Sequence, residues 1–193
     1  MPTFTTDHAK AFALFMADKY GTVYRLKADA DEMTVVAKFL GAFGITDATA
    51  FMERFATTIG HTIYLPFTVG TDDPKWAPWT QIQIIAHEHQ HVIQLNRDGP
   101  ILFGARYTAD KTWRATYEGE GYRTNMALNW WKDHSDAALD VTPFVRSIEA
   151  YGLGADEKVF FASMLKMSAG AIRIGGVPDE AARVAIAWLN ANG

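Results

Sequence analysis

The chain holds one short stretch whose residue types and spacing suit catalysis: His87-Glu88-His89-Gln90-His91, an H-E-x-x-H pattern. On a helix, His87 and His91 lie four positions apart, about one turn, so both imidazoles leave the same face. That spacing suits two corners of a tetrahedral zinc site. Glu88 stands beside them, where it can take a proton from a metal-bound water. The motif is embedded in Ile82, Ile84, Ile85, Ala86, Val92, Ile93 and Leu95. So many apolar neighbours predict a helix that runs through a core rather than along a solvated surface. Buried imidazoles need partners, and one metal ion serves two at once. His89 is two residues from each motif histidine and points to the opposite side. It is expected to be a bystander, at a rim or hydrogen-bonded within the core.

A tetrahedral metal then needs a third protein ligand and an open position. The continuation H-E-x-x-H-x-x-G-x-x-H is excluded, because Gln94 and Arg97 occupy its last two fixed positions. Another common solution is a glutamate on a later helix. Tyr117-Glu118-Gly119-Glu120-Gly121-Tyr122 offers two carboxylates. Glu118 and Glu120 are two apart, so they cannot both face the ion. Gly121 shares a face with Glu118, and its small size permits close helix approach, which favours Glu118. Glu118 is therefore preferred, although Glu120 lies on the stripe of Trp113, Tyr117, Thr124 and Trp131. Two glycines inside a helix cost about 1 kcal/mol each relative to alanine, so close packing is expected here.

These groups need a scaffold. Residues 5–19 are expected to be helical, with Phe12, Phe15 and Met16 on one side. Thr22 to Lys27 alternates as a short strand. Asp31 to Phe43 and Thr46 to Ala56 read as helices, the second capped by Thr46 or Asp47. Thr58 to Val69 reads as a strand, and Pro66 argues for an edge strand or bulge. The motif helix is expected from about Pro78 to Arg97, stopped by Asp98-Gly99-Pro100. A connector runs from Ile101 to about Lys111, followed by a long helix over Thr112 to Lys132. Helices are expected over about 141–151, 155–172 and 178–190. The order is a strand-containing first half followed by helices, which fits α+β. The expectation is one domain over 1–193: N-terminal helices and strand (1–57), a metal-site core (58–132) and a helical C-terminal part (133–193).

Composition narrows the function. Cysteine is absent, which removes disulfides, thiolate ligands and cysteine nucleophiles together. Any zinc must use His, Glu or Asp, which leans toward a catalytic rather than a structural ion. A net charge of −4 gives no basic surplus for nucleic acid or anionic membrane. No apolar run reaches the roughly 18 residues of a membrane span. Residues 1–8 lack the basic and apolar regions of a signal peptide. The expectation is a cytoplasmic protein, or one released without a signal peptide, virion association included.

These pieces together resemble the gluzincin metallopeptidases, the thermolysin-like clan, and especially their compact single-domain members, the minigluzincins, with related peptidases of bacteria and phages. Thr62-Ile63-Tyr64-Leu65-Pro66 resembles the strand preceding their active-site helix. His87 to Gln94 resembles their H-E-x-x-H helix, including a Gln three residues after the second His. Tyr117 to Arg123 resembles their glutamate helix. The resemblance covers about residues 58–125. It implies a small zincin-like domain in which an edge strand packs on the motif and glutamate helices. It also implies one Zn²⁺ ion held by His87, His91 and Glu118. The position that supports a zinc-binding His in that clan, usually Asp or Asn, is Tyr122 here, a departure.

The implied activity is peptide-bond hydrolysis by a metal-activated water, with Glu88 as general base. A segment near Ile63–Leu65 is expected to bind an extended peptide by strand addition. An oxyanion then needs a cationic or phenolic partner. Tyr107, Tyr122, Arg106, Arg114 and His134 are available, and Tyr107 is favoured because it falls between the two ligand helices. The partner is a peptide or protein substrate. The competing reading is a non-catalytic, zinc-stabilised binding or assembly module, such as a phage-particle component.

Overall fold

The computed structural model describes residues 3–42 and 48–193. The architecture is α+β, mostly helical, with one three-stranded sheet. α1 (Thr6–Tyr20) opens with a reciprocal cap: the Thr5 hydroxyl accepts the His8 amide and His8 Nδ1 accepts the Thr5 amide. It ends at Gly21, whose φ of 63° closes the helix in the left-handed conformation. β1 (Val23–Leu26), α2 (Asp31–Ala42) and α3 (Ala48–Arg54) follow. The expected cap at Thr46 or Asp47 lies outside the described residues.

The strand expected over 58–69 is instead a hairpin. β2 (Thr57–Ile59) pairs antiparallel with β3 (Thr62–Leu65), Ile59 opposite Thr62. Gly60 and His61 form the two-residue connection. Gly60 has a φ of 59°, the positive value that the first loop residue of a II′-type hairpin needs. His61 therefore sits in a turn, against the Tyr20 carbonyl and Asn96, not on a strand face. β1 runs parallel to β3 on its other side, Val23 opposite Thr62. The sheet order is β1-β3-β2, so Ile63–Leu65 is central and cannot be the expected edge. The edge that lies against the motif helix is β2.

α4 (Pro78–Asp98) carries the motif. Gly99, at φ 81°, ends it as expected. The connector expected over 101–111 is a helix, α5 (Pro100–Ala109). A proline that cannot continue one helix is well suited to the first position of the next. α6 (Lys111–Asp133) starts where Asp110 accepts the amides of Thr112 and Trp113. α7 (Thr142–Ser147) and a 3-10 turn (Ile148–Tyr151) replace the single helix expected there, and α8 (Ala155–Arg173) and α9 (Glu180–Asn192) complete the chain.

α4 is the axis of the fold. α1 brings Ala9, Phe12, Ala13 and Met16, and α9 brings Ala185 and Leu189, onto Ile82, Ile85 and Ala86. Ile63, Leu65 and Phe67 pack on Val92 from the sheet side. α6 lies along a further side of α4 and is itself backed by Phe161 and Leu165 of α8. Fully burying each large apolar side chain contributes about 1.5–3 kcal/mol. α4 is thus covered on several sides, and its polar residues must find partners within the protein.

Candidate metal centre

α4 and α6 meet where α6 carries Gly121. A Cβ there would stand 2.6 Å from His87 Nε2 and 2.5 Å from its Cε1. Only glycine admits this approach, which answers the close-packing expectation. Gly119 serves the opposite side of α6, where Met164 of α8 fills the space a Cβ would take.

The approach brings His87, His91 and Glu118 together, all buried, each offering a ligand atom within 4.8 Å of the others. His87 Nε2 is 3.5 Å from Glu118 Oε2, and His91 Nε2 is 3.6 Å from Glu118 Oε1. A charge-assisted hydrogen bond is shorter, about 2.7–2.9 Å. Two donors about 2.1 Å from one tetrahedral ion stand roughly 3.4 Å apart. The separations therefore fit an ion between the donors better than direct bonds. Glu118 Oε2 is buried with no hydrogen-bond partner, a costly state that a cation would relieve. The three residues can hold a metal ion. Without one, burial pushes Glu118 up, but His91, His87 and Tyr107 outweigh it and hold the carboxyl below its usual range. Burial likewise depresses His87, but Glu118 and Glu88 outweigh it and raise the imidazole.

Glu120 is not in the cluster. It accepts from Gln90 at 3.1 Å, Gln94 at 2.9 Å and Arg97 at 3.2 Å. Gln94 also donates to the Tyr117 carbonyl, and its Oε1 lies 2.7 Å from His91 Nδ1. His91 donates there, which leaves its Nε2 lone pair free for a metal. Glu120 therefore supports a candidate ligand at one remove, through Gln94.

Tyr107 donates its hydroxyl to Glu118 Oε1 at 2.6 Å. Burial, then the Glu118 charge, drives its phenol well above the usual range, so it stays protonated. Tyr122 stacks edge-on against His87, ring centroids 4.9 Å apart. Three other named candidates are committed elsewhere. Arg114 donates to the carbonyls of Tyr107, Thr108 and Tyr151. Arg106 reaches Asp98 and lies over Trp113. His134 terminates α6 at φ 44° and packs on Trp130. His89 is a bystander, as expected. Its Nδ1 donates to the Ile85 carbonyl, its Nε2 accepts from Thr22, and burial lowers it to about 4.

Glu88 Oε2 accepts the Thr58 hydroxyl at 2.7 Å, a contact the sequence reading missed. Thr58 lies on β2, and only recognition of the hairpin would have placed it there. Two cavities adjoin the centre. One, of about 350 Å³, reaches Glu88, His91 and Glu118 and is walled by Phe51, Phe55, Leu95 and Phe103. The other, of about 390 Å³, reaches His87 and Glu88. Glu88 and Tyr151 line both, and Tyr151 is a second residue the sequence reading missed.

No protein-family model matches the chain, and neither does any curated protein or solved structure. Among the described residues, no helix is long and apolar enough to cross a membrane.

Proposed function

We propose that the protein is a zinc-dependent peptidase of the gluzincin kind, built on a zincin-like domain. The observation that carries this reading is the buried His87–His91–Glu118 cluster, spaced for a shared ion, with Glu88 beside it at two cavities. Two imidazoles and one carboxylate are a typical catalytic zinc set, and they leave a fourth position open. A bound zinc ion supplies an acidified water and polarises the scissile carbonyl. Glu88, held by Thr58, takes the water's proton and later delivers it to the leaving amine. Tyr107 positions Glu118 through its 2.6 Å bond, and rotation of that hydroxyl away from Glu118 Oε1 would turn its one proton to the oxyanion.

The substrate is a peptide or protein. β2 is an edge strand whose Thr57, Thr58 and Ile59 line the apolar cavity next to Glu88. An extended peptide can add to such an edge by main-chain hydrogen bonds while its side chains enter the cavities. The test is metal analysis followed by digestion of a mixed peptide library, read by mass spectrometry. About one zinc per chain is expected. Glu88→Gln keeps the metal and loses cleavage. Cleavage that survives Glu88→Gln removes Glu88 as the base. A zinc-loaded wild type that cleaves nothing favours the non-catalytic assembly module instead.

A further inference from the structure

The two cavities at the centre differ in chemistry. On the His91 side, the charged or titratable lining consists of Glu88, His91, Glu118, Tyr107 and Tyr151, and much of the remainder is apolar or aromatic. An apolar cavity of about 150 Å³ already accommodates benzene, so about 350 Å³ has room for an aromatic side chain with adjoining backbone. On the His87 side the lining includes Arg54, from the end of α3, and Arg146, from α7. Both side chains are exposed at the cavity. Among the described residues, neither guanidinium lies within salt-bridge distance of a carboxylate. Asp140 feels the Arg146 charge, but its Oδ1 is taken by the amide and hydroxyl of Thr142.

Two guanidiniums with no carboxylate partner among the described residues make a recognition set for an anion with two oxygens. Arginine's planar fork matches a carboxylate in bidentate fashion. In a chain of net charge −4, two arginines at one cavity next to a metal centre are not a general basic surface.

We propose that the His87-side cavity binds a carboxylate of the peptide substrate through Arg54 and Arg146. The scissile bond then lies between an apolar side chain on the His91 side and a carboxylate on the His87 side. This rests on the peptidase reading of the same centre. The carboxylate has two possible sources, the free C-terminus of a short peptide or an Asp or Glu side chain within a longer one.

The test is calorimetric binding to zinc-loaded Glu88→Gln protein, repeated without metal. Three probes share one core: acetyl-Ala-Phe-Ala-Ala as the free acid, the same peptide as the C-terminal amide, and acetyl-Ala-Phe-Ala-Asp amide. At least one carboxylate-bearing probe is expected to bind about tenfold more tightly than the uncharged amide. An advantage for the free acid alone identifies the C-terminus. An advantage for the Asp probe identifies the side chain. Arg54→Gln with Arg146→Gln is expected to erase the advantage, and circular dichroism checks that the fold is kept. Equal affinity for all three probes overturns the proposal. So does an advantage that survives the double substitution, which would place the carboxylate on the ion. Cleavage with charge-blind binding rejects this proposal alone, whereas charge-dependent binding without any cleavage by wild type rejects the peptidase reading alone.

Discussion

Replacing Gly121 by alanine separates helix propensity from metal binding. In an ordinary exposed helix this change stabilises by about 1 kcal/mol. Here the new methyl would stand 2.5 Å, 2.6 Å and 2.9 Å from three atoms of the His87 ring. Carbon contacts settle near 3.5–4.0 Å, so the ring has to move by roughly 1 Å. His91 and Tyr122 pack on it with centroids 4.9 Å away, so the displaced ring is driven toward the adjoining cavity and away from its place in the cluster. Metal–ligand distances tolerate only about 0.2 Å, so a shift of that size takes one of three ligands out of range. Zinc affinity is expected to fall at least about 100-fold, worth about 2.7 kcal/mol. The assay is competition with a chromophoric chelator, combined with thermal unfolding with and without zinc. Gly119→Ala is the first comparator. Its methyl meets the flexible tip of Met164, so it crowds the α6–α8 contact and leaves zinc affinity unchanged. Gly170→Ala is the second, in α8 with nothing within 4 Å, and gains about 1 kcal/mol. Wild-type zinc affinity in Gly121→Ala would refute the placement of His87 against α6.

Tyr107→Phe keeps the ring against Phe103 but removes the bond to Glu118 Oε1, and zinc affinity is expected to drop about tenfold in the same competition assay. An unchanged affinity would mean that the hydroxyl does not position Glu118. A pH prediction concerns Lys27, whose buried Nζ donates to the carbonyls of Phe51 and Phe55 and to Thr57. Burial lowers this ammonium to about 7, against about 10.5 when unfolded. A base with a depressed folded value costs stability in full below about pH 7, and the cost is relieved as pH rises toward the unfolded value. Chemical denaturation of wild type from pH 7 to 9.5 is expected to show a gain on the order of 3 kcal/mol, absent in Lys27→Met. A flat profile in wild type would show that the three acceptors hold Lys27 protonated instead.

What was legible in the sequence was what a single helix determines. The one-turn spacing of His87 and His91, the turn of His89 away from both and the stop at Gly99 depend on neighbours a few residues away. The hairpin was obscured because Ile59 to Val69 is apolar enough to pass as one strand. Its signal was present all the same, as Gly60 at the first position of a two-residue loop. Missing it moved the sheet edge from β2 to β3 and hid Thr58 from Glu88. α5 is hidden for a different reason: Pro100 reads as the stop of α4, although proline also begins helices.

The choice between Glu118 and Glu120 depends on how α6 is rotated against α4. Within α6, Gly121 marks the Glu118 face as the one of close approach, whereas the aromatic stripe marks the other. α4 decides between them. Gln90, Gln94 and Arg97 recur at helical spacing, one turn apart along a single stripe beside the motif. Three donors on a largely buried helix require an acceptor, and a carboxylate meets that requirement. Glu120 fills it, with hydrogen bonds to all three. With Glu120 held there, Glu118 turns to His87 and His91, and Gly121 makes room for the His87 ring. The two carboxylates thus divide one task. Glu120 anchors the Gln94 that orients His91, and Glu118 closes the cluster. Glu118→Gln with Glu120 retained therefore leaves the donor stripe satisfied while removing the one anionic donor of the cluster.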